Sequence, residues 1–279
     1  MVTIENLTFD YRRSQKKLFD DFSLSIEKGK VYGLLGKNGV GKSTLLYLMT
    51  GLLMPKNGKI SFNYVDVAKR LPHTLQDMYI VPEEFDLPSM PLRKYVKCNE
   101  SFYPRFSMED LEKYLQCFEL NMDVNLGALS MGQKKKVYMS FALATNTSLL
   151  VMDEPTNGLD IPAKSQFRKF IALGMNEDKT IIISTHQVRD IDNLLEHVII
   201  MDHSKVLLNE PVSNICRKLL FVETSSDKIA ENSLFVSPSI QGNSMILPNT
   251  ENEESAINLE LLFNAMLSDT EKLKGVFNN

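Results

Sequence analysis

Residues 36–44, Gly-Lys-Asn-Gly-Val-Gly-Lys-Ser-Thr, constrain this chain more than any other stretch. They follow one apolar run, "KVYGLL" at 30–35, and lead into another, "TLLYLM" at 44–49. A buried strand, a glycine turn and a helix are the expected order. Gly36, Lys37, Asn38, Gly39, Val40, Gly41, Lys42 and Ser43 satisfy the spacing GxxxxGK[ST]. Such a loop aims bare amide N–H groups at the phosphates of a nucleotide, and the start of the helix adds partial positive charge. Lys42 is expected on the β- and γ-phosphate oxygens. The Ser43 hydroxyl is expected on Mg2+, with Thr44 completing the phosphate-binding set. Glycine is expected here because a Cβ would hold the phosphates away.

Two further apolar runs end in chemistry. "SLLVMDEP" (148–155) reads as a buried strand that delivers Asp153 to the same sheet edge, where it can hold Mg2+ through water. Glu154 follows, placed to polarise a water against the γ-phosphate, since in-line attack needs a positioned water more than covalent chemistry. "KTIIIST" (179–185) is a second buried strand, and His186 after it can hydrogen-bond the γ-phosphate. "LSMGQKKK" (129–136) opens an expected helix with Ser130 and Gly132, a second helix start suited to an anion. One chain does not need two γ-phosphate clamps. Two chains packed head to tail do, each offering Ser130, Gly132 and Gln133 to the nucleotide of the other. Lys134, Lys135 and Lys136 read as a solvated basic face.

Strands alternating with helices argue for a parallel sheet covered on both faces. The 84–128 segment is amphipathic and expected to be mostly helical, with Ser107 and Asp110 as a variant capping box. "VRDIDNLLEH" (188–197) reads as a helix and "HVIIMDHSKVLLNE" (197–210) as a hairpin turning at "DHSK". Beyond Pro211, "LLFVETS", "NSLFVSPS" and "NSMILPN" read as short strands, "NTENEES" as a polar linker and "AINLELLFNAML" as a closing helix. The organisation expected is a core at 1–211, with a helical subdomain at about 84–140, and a small α/β extension at 212–279.

A net charge of −4 over 279 residues gives no overall pull toward nucleic acid, and none is expected as partner. The start of the chain lacks a charged segment followed by an apolar run, so no signal peptide is expected. The longest apolar stretches fall far short of the roughly 20 residues a bilayer crossing takes. Cys98, Cys117 and Cys216 are odd in number and widely spaced, and read as free thiols used as small buried hydrophobes.

Together these residues resemble the nucleotide-binding domain of an ABC (ATP-binding cassette) protein, over about residues 2–211. "GKNGVGKST" resembles Walker A, "LLVMDE" Walker B, "LSMGQ" the LSGGQ signature and "NGLD" the D-loop, with His186 as the switch histidine. The resemblance implies a P-loop NTPase ABC ATPase core of α/β class, with an antiparallel β subdomain, a helical subdomain and the C-terminal extension. It also implies ATP and Mg2+ as cofactors and Tyr11, 25 residues before Gly36, stacked on adenine. Two positions depart from the pattern. Met131 replaces a signature glycine. Glu83 stands where a glutamine that touches Mg2+ is usual, so it is expected as a metal-site carboxylate. Residues 102–120 and 129–144 resemble stand-alone ATPase subunits of bacterial exporters. That implies a homodimer or heterodimer of ATPase subunits on a separate transmembrane permease, peripheral on the cytoplasmic face. A soluble ABC ATPase acting on ribosomes or DNA is the competing reading. A non-enzymatic nucleotide-gated module is a third, opposed by the intact Lys42, Asp153, Glu154 and His186.

Overall fold

A computed structural model describes residues 1–12, 17–224, 232–239 and 242–278. Among them the chain builds three sheets. A four-stranded antiparallel sheet has the order β2-β1-β4-β5, from β1 (Val2–Phe9), β2 (Phe19–Ile26), β4 (Asn57–Phe62) and β5 (Val65–Asp66). Alternation turns Val2 and Ile4 inward from β1, and an irregularity at Asn6, which sits at positive φ, shifts the register so that Leu7 and Phe9 also face inward.

The central sheet has the order β10-β9-β3-β8-β7-β6. Its strands are β3 (Val31–Leu35), β6 (Met78–Val81), β7 (Leu149–Asp153), β8 (Thr180–Thr185), β9 (His197–Asp202) and β10 (Lys205–Pro211). All pairings are parallel except β9 with β10. Strands β3, β7 and β8 are buried at every residue, because both faces are covered. One apolar cluster lies between this sheet and the antiparallel one. A second lies on its other face, under the helices.

The helices are α1 (Lys42–Met49), α2 (Pro72–Leu75), α3 (Leu92–Asn99), α4 (Met108–Cys117), α5 (Met131–Ala144) and α6 (Ile161–Gly174). Ser107 caps α4 by accepting from the Asp110 N–H, the half of the expected capping box that a serine supplies. Phe141 of α5 packs among Tyr79, Tyr95, Tyr103 and Phe106, which fastens the helical segment to β6.

Residues 188–194 correct the sequence reading. No α-helix forms there; Val188–Asp190 and Asp192–Leu194 are single 3-10 turns. Val188 and Ile191 are buried three residues apart, the spacing a 3-10 turn brings to one face. The acids do the rest. Asp190 is drawn to Lys164 of α6 at 2.7 Å, and Asp192 accepts from the Asn193 N–H, competing with a helical ladder. The hairpin turn forms as expected, with His203 and Ser204 both at positive φ, the two-residue turn that matches strand twist.

Beyond β10 come α7 (Val212–Lys218), then a third sheet of order β11-β13-β12 from β11 (Leu219–Thr224), β12 (Phe235–Ser239) and β13 (Gly242–Pro248). Helices α8 (Leu259–Ser268) and α9 (Thr270–Asn278) close the chain. The last residue of "LLFVETS", Ser225, lies outside the described residues. The three cysteines are free, as expected, but none is fully buried and Cys98 is exposed. No helix among the described residues is long and apolar enough to cross a membrane.

Candidate nucleotide site

The glycine loop leaves β3 at the carboxyl edge of the parallel sheet, where open α/β sheets bind ligands. Gly41 is the N-cap of α1 at φ 106, a backbone state L side chains rarely adopt, and no side chain caps the helix. The first N–H groups of α1 therefore keep their bonding capacity for an anion. Two of the loop glycines answer to their own surroundings as well. A Cβ at Gly36 would stand 2.7 Å from Val40 Cγ2 and 2.9 Å from the Met201 carbonyl oxygen. One at Gly41 would stand 2.9 Å from the Phe19 ring. Protein packing at both, and backbone conformation at Gly41, already demand glycine there, whatever the phosphates require.

Lys42 is 6% exposed and its Nζ donates to the Gly36 carbonyl at 2.8 Å and the Lys37 carbonyl at 3.3 Å. Its ammonium is 3.9 Å from Glu154 Oε1. Burial pushes the Lys42 pKa down, while Glu154, Asp153 and Glu83 push it back up. Asp153 is 1% exposed and accepts from the Ser184 hydroxyl. Glu154 sits at φ 45, the left-handed region, in a non-glycine residue. Its carboxylate takes His186 Nδ1 at 2.8 Å, the Thr185 hydroxyl at 3.2 Å and the His186 N–H at 3.4 Å. Thus β3, β7 and β8 bring Lys42, Asp153, Glu154 and His186 together, as the three apolar runs imply.

A cleft of about 630 Å³ opens beside them, lined by residues 38–44, Tyr11, Glu83, Glu154 and His186. Tyr11 donates to or accepts from Thr44 Oγ1 at 2.8 Å and sets its ring edge-on to Phe9. Glu83 is exposed in the cleft and accepts from Asn157 Nδ2 at 2.9 Å. Lys17, Leu18, His203 and Ser204 also line the cleft, and sequence reading missed them. They come from the segment before β2 and the β9–β10 turn, which carry no motif.

Ser130, Gly132 and Gln133 lie outside this cleft. They begin α5 as a full capping box: the Gln133 N–H donates to Ser130 Oγ at 3.3 Å and the Ser130 N–H to Gln133 Oε1 at 3.1 Å. Met131 is 62% exposed between them. Of the three lysines that follow, Lys135 corrects the reading of a solvated face, while Lys134 and Lys136 are half-buried. Lys135 is 6% exposed, and its Nζ donates to the carbonyls of Glu154 at 2.7 Å and Asn157 at 3.0 Å. Lys136 Nζ stands 5.8 Å from the centre of the Phe118 ring. Among the described residues no cluster of three or more His, Cys, Asp or Glu forms a ready metal cage.

The profile of the family described as "ABC transporter" matches residues 19–157. The ABC transporter ATP-binding protein NatA of Bacillus subtilis (strain 168) is 30% identical over 255 residues, covering 87% of this chain and 99% of NatA. The chain belongs to the ABC transporter family of ATP-binding subunits. The high-affinity zinc uptake system ATP-binding protein ZnuC of the same organism is 31% identical over 218 residues, 74% of this chain and 92% of ZnuC. A solved bacterial ABC transporter cassette, MJ0796, described as dimeric, superposes with a TM-score of 0.67 at 23% identity, covering 76% of this chain and 99% of that one. As a family member the subunit binds and hydrolyses ATP, and its P-loop ABC ATPase fold is the one these neighbours share.

Proposed function

We propose that this subunit is the motor of a transporter, closing as a pair around two ATP molecules and driving a separate membrane permease. The observation that carries the reading is the convergence of Lys42, Glu154 and His186 on one cleft at the sheet's carboxyl edge, with Asp153 buried at the end of the strand that delivers Glu154. Gly36 to Thr44 cradle the phosphates and Lys42 meets the β/γ oxygens. Tyr11 takes the adenine. Glu154 polarises the attacking water, and His186 holds the γ-phosphate. In the arrangement observed, the Glu154 carboxylate accepts from His186 and Thr185 and keeps acceptor capacity for a water. Ser43, Asp153 and Glu83 offer hard oxygen donors of the kind Mg2+ takes alongside phosphates. Mg2+ bound there would neutralise charge on the β- and γ-phosphates.

Pairing is supported by the position of Ser130 and Gly132, away from their own chain's cleft, and by the neighbour solved as a dimer. The partner copy would supply them. Residues 84–128, with the exposed Phe102 and Leu52 beside them, are the surface offered to a permease. A permease docked there would hold the subunit on the cytoplasmic face of the membrane. We treat 1–211 as the ATPase domain and 212–279 as its extension. The direction proposed is export, on the resemblance of residues 102–120 and 129–144 to exporter subunits; the zinc-uptake relative makes import the outcome a transport assay must separate.

The test is to isolate Glu154→Gln from native membranes with ATP and Mg2+. A polytopic membrane protein in fixed stoichiometry is expected. Ribosomal proteins or DNA, with nothing from the membrane, would replace the transport reading with a soluble one.

A further inference from the structure

A lysine buried among carbonyls is costly unless every donor is used, and a solvated position on α5 would cost nothing. Lys135 nevertheless points inward. Its ammonium ends on two main-chain oxygens, those of Glu154 and Asn157, which bracket the turn after β7. Both matter to the cleft. Glu154 holds the left-handed conformation that aims its carboxylate at His186, a state that costs of the order of 1–3 kcal/mol and persists only where surroundings enforce it. The same Glu154 carbonyl also accepts the Asn157 N–H at 3.2 Å, so the turn closes on itself under the lysine. Asn157, held by its carbonyl, spends its side-chain amide on Glu83. One ammonium therefore reaches two carboxylates of the cleft through backbone it fixes. Charge agrees with this geometry: burial lowers the Lys135 pKa, and Glu83, Glu154 and Asp153 oppose that shift.

We propose that Lys135 is a positioning residue for ATP hydrolysis: its buried ammonium fixes the backbone of Glu154 and Asn157, and through Asn157 it presents Glu83 to the cleft. It touches neither nucleotide nor water. The proposal rests on Glu154 as the residue that polarises water.

The experiment compares Lys135→Met, which keeps the apolar stem and donates nothing, with Lys135→Gln, whose amide ends one atom short of the ammonium and offers two N–H groups to the same carbonyls. The readouts are kcat and KM for ATP, ADP affinity in EDTA, the Mg2+ titration of activity, and the thermal midpoint without nucleotide. Lys135→Met is expected to lose about tenfold or more in kcat, the scale of a lost charged hydrogen bond. KM and ADP affinity are expected to stay within about threefold, because the glycine loop is untouched. Its Mg2+ titration is expected to shift in the same sense as that of Glu83→Gln. Lys135→Gln is expected to keep kcat within about threefold of the parent. A parental kcat in Lys135→Met, an equal loss in Lys135→Gln, or a fall in ADP affinity in step with kcat would each overturn the proposal. If Lys135→Met does not fold, Lys135→Gln decides: a kcat within about threefold supports the role, a larger loss removes it. Parental hydrolysis by Glu154→Gln would instead remove the Glu154 assignment, whatever the two Lys135 variants do.

Discussion

Two helix starts in this chain are suited to anions, and they are built in opposite ways. Helix α1 begins at Gly41 with no side-chain cap, so its amides stay open to the cleft. Helix α5 begins at Ser130 with both partners of a capping box engaged, so the Ser130 and Gln133 N–H groups are already satisfied from within. The open start can take a phosphate as it stands. The closed start is stable on its own, and a phosphate must compete with Gln133 for its serine. On the proposed reading, binding by one chain rests on α1, and α5 is the part left for the partner copy to use.

Damage at the two starts should separate accordingly. The largest effect is expected from Lys42→Ala, a loss of about 100-fold in ATP affinity, corresponding to roughly 3 kcal/mol for removing a charged partner. Isothermal titration on the isolated chain measures it. Gly41→Ala should follow at about tenfold, since the new Cβ meets Phe19 and the backbone is strained at φ 106. Ser130→Ala should leave single-chain ATP affinity at the parental value and lower hydrolysis, while thermal stability drops by about 1 kcal/mol for the lost cap. Equal losses of ATP affinity in Ser130→Ala and Lys42→Ala would break the division of labour drawn here. The smallest effect is expected from Glu83→Gln, an activity change of only a few-fold with a shifted Mg2+ optimum; an unchanged Mg2+ titration would remove its metal role.

The sequence made the two starts legible to different depths. The glycine spacing and the apolar runs at β3, β7 and β8 announce the cleft, because motif and strand burial are local properties. The hairpin at His203 and the serine caps at 107 and 130 are local as well. What failed was decided at a distance. Lys135 sits in a run of three lysines, and only the turn after β7 tells it from its neighbours. Residues 188–194 carry helical spacing, yet α6 pulls on Asp190 and leaves two short turns. Lys17 and His203 reach the cleft through tertiary folding alone.

The apolar cluster on the helix-covered face of the central sheet runs without a break from Leu111 and Phe170 through Ile183 to Ile215, Leu262 and Met266. Helix α8 also meets the turn after β8, where Arg189 and Glu260 pair at 2.5 Å, three residues beyond His186. The last quarter of the chain is thus not an appendage that can melt alone. Heating should give one calorimetric transition whose van't Hoff and calorimetric enthalpies agree. A chain cut after Pro211 would lose more than a module: it would uncover β9 and the turn that carries the chain on from His186.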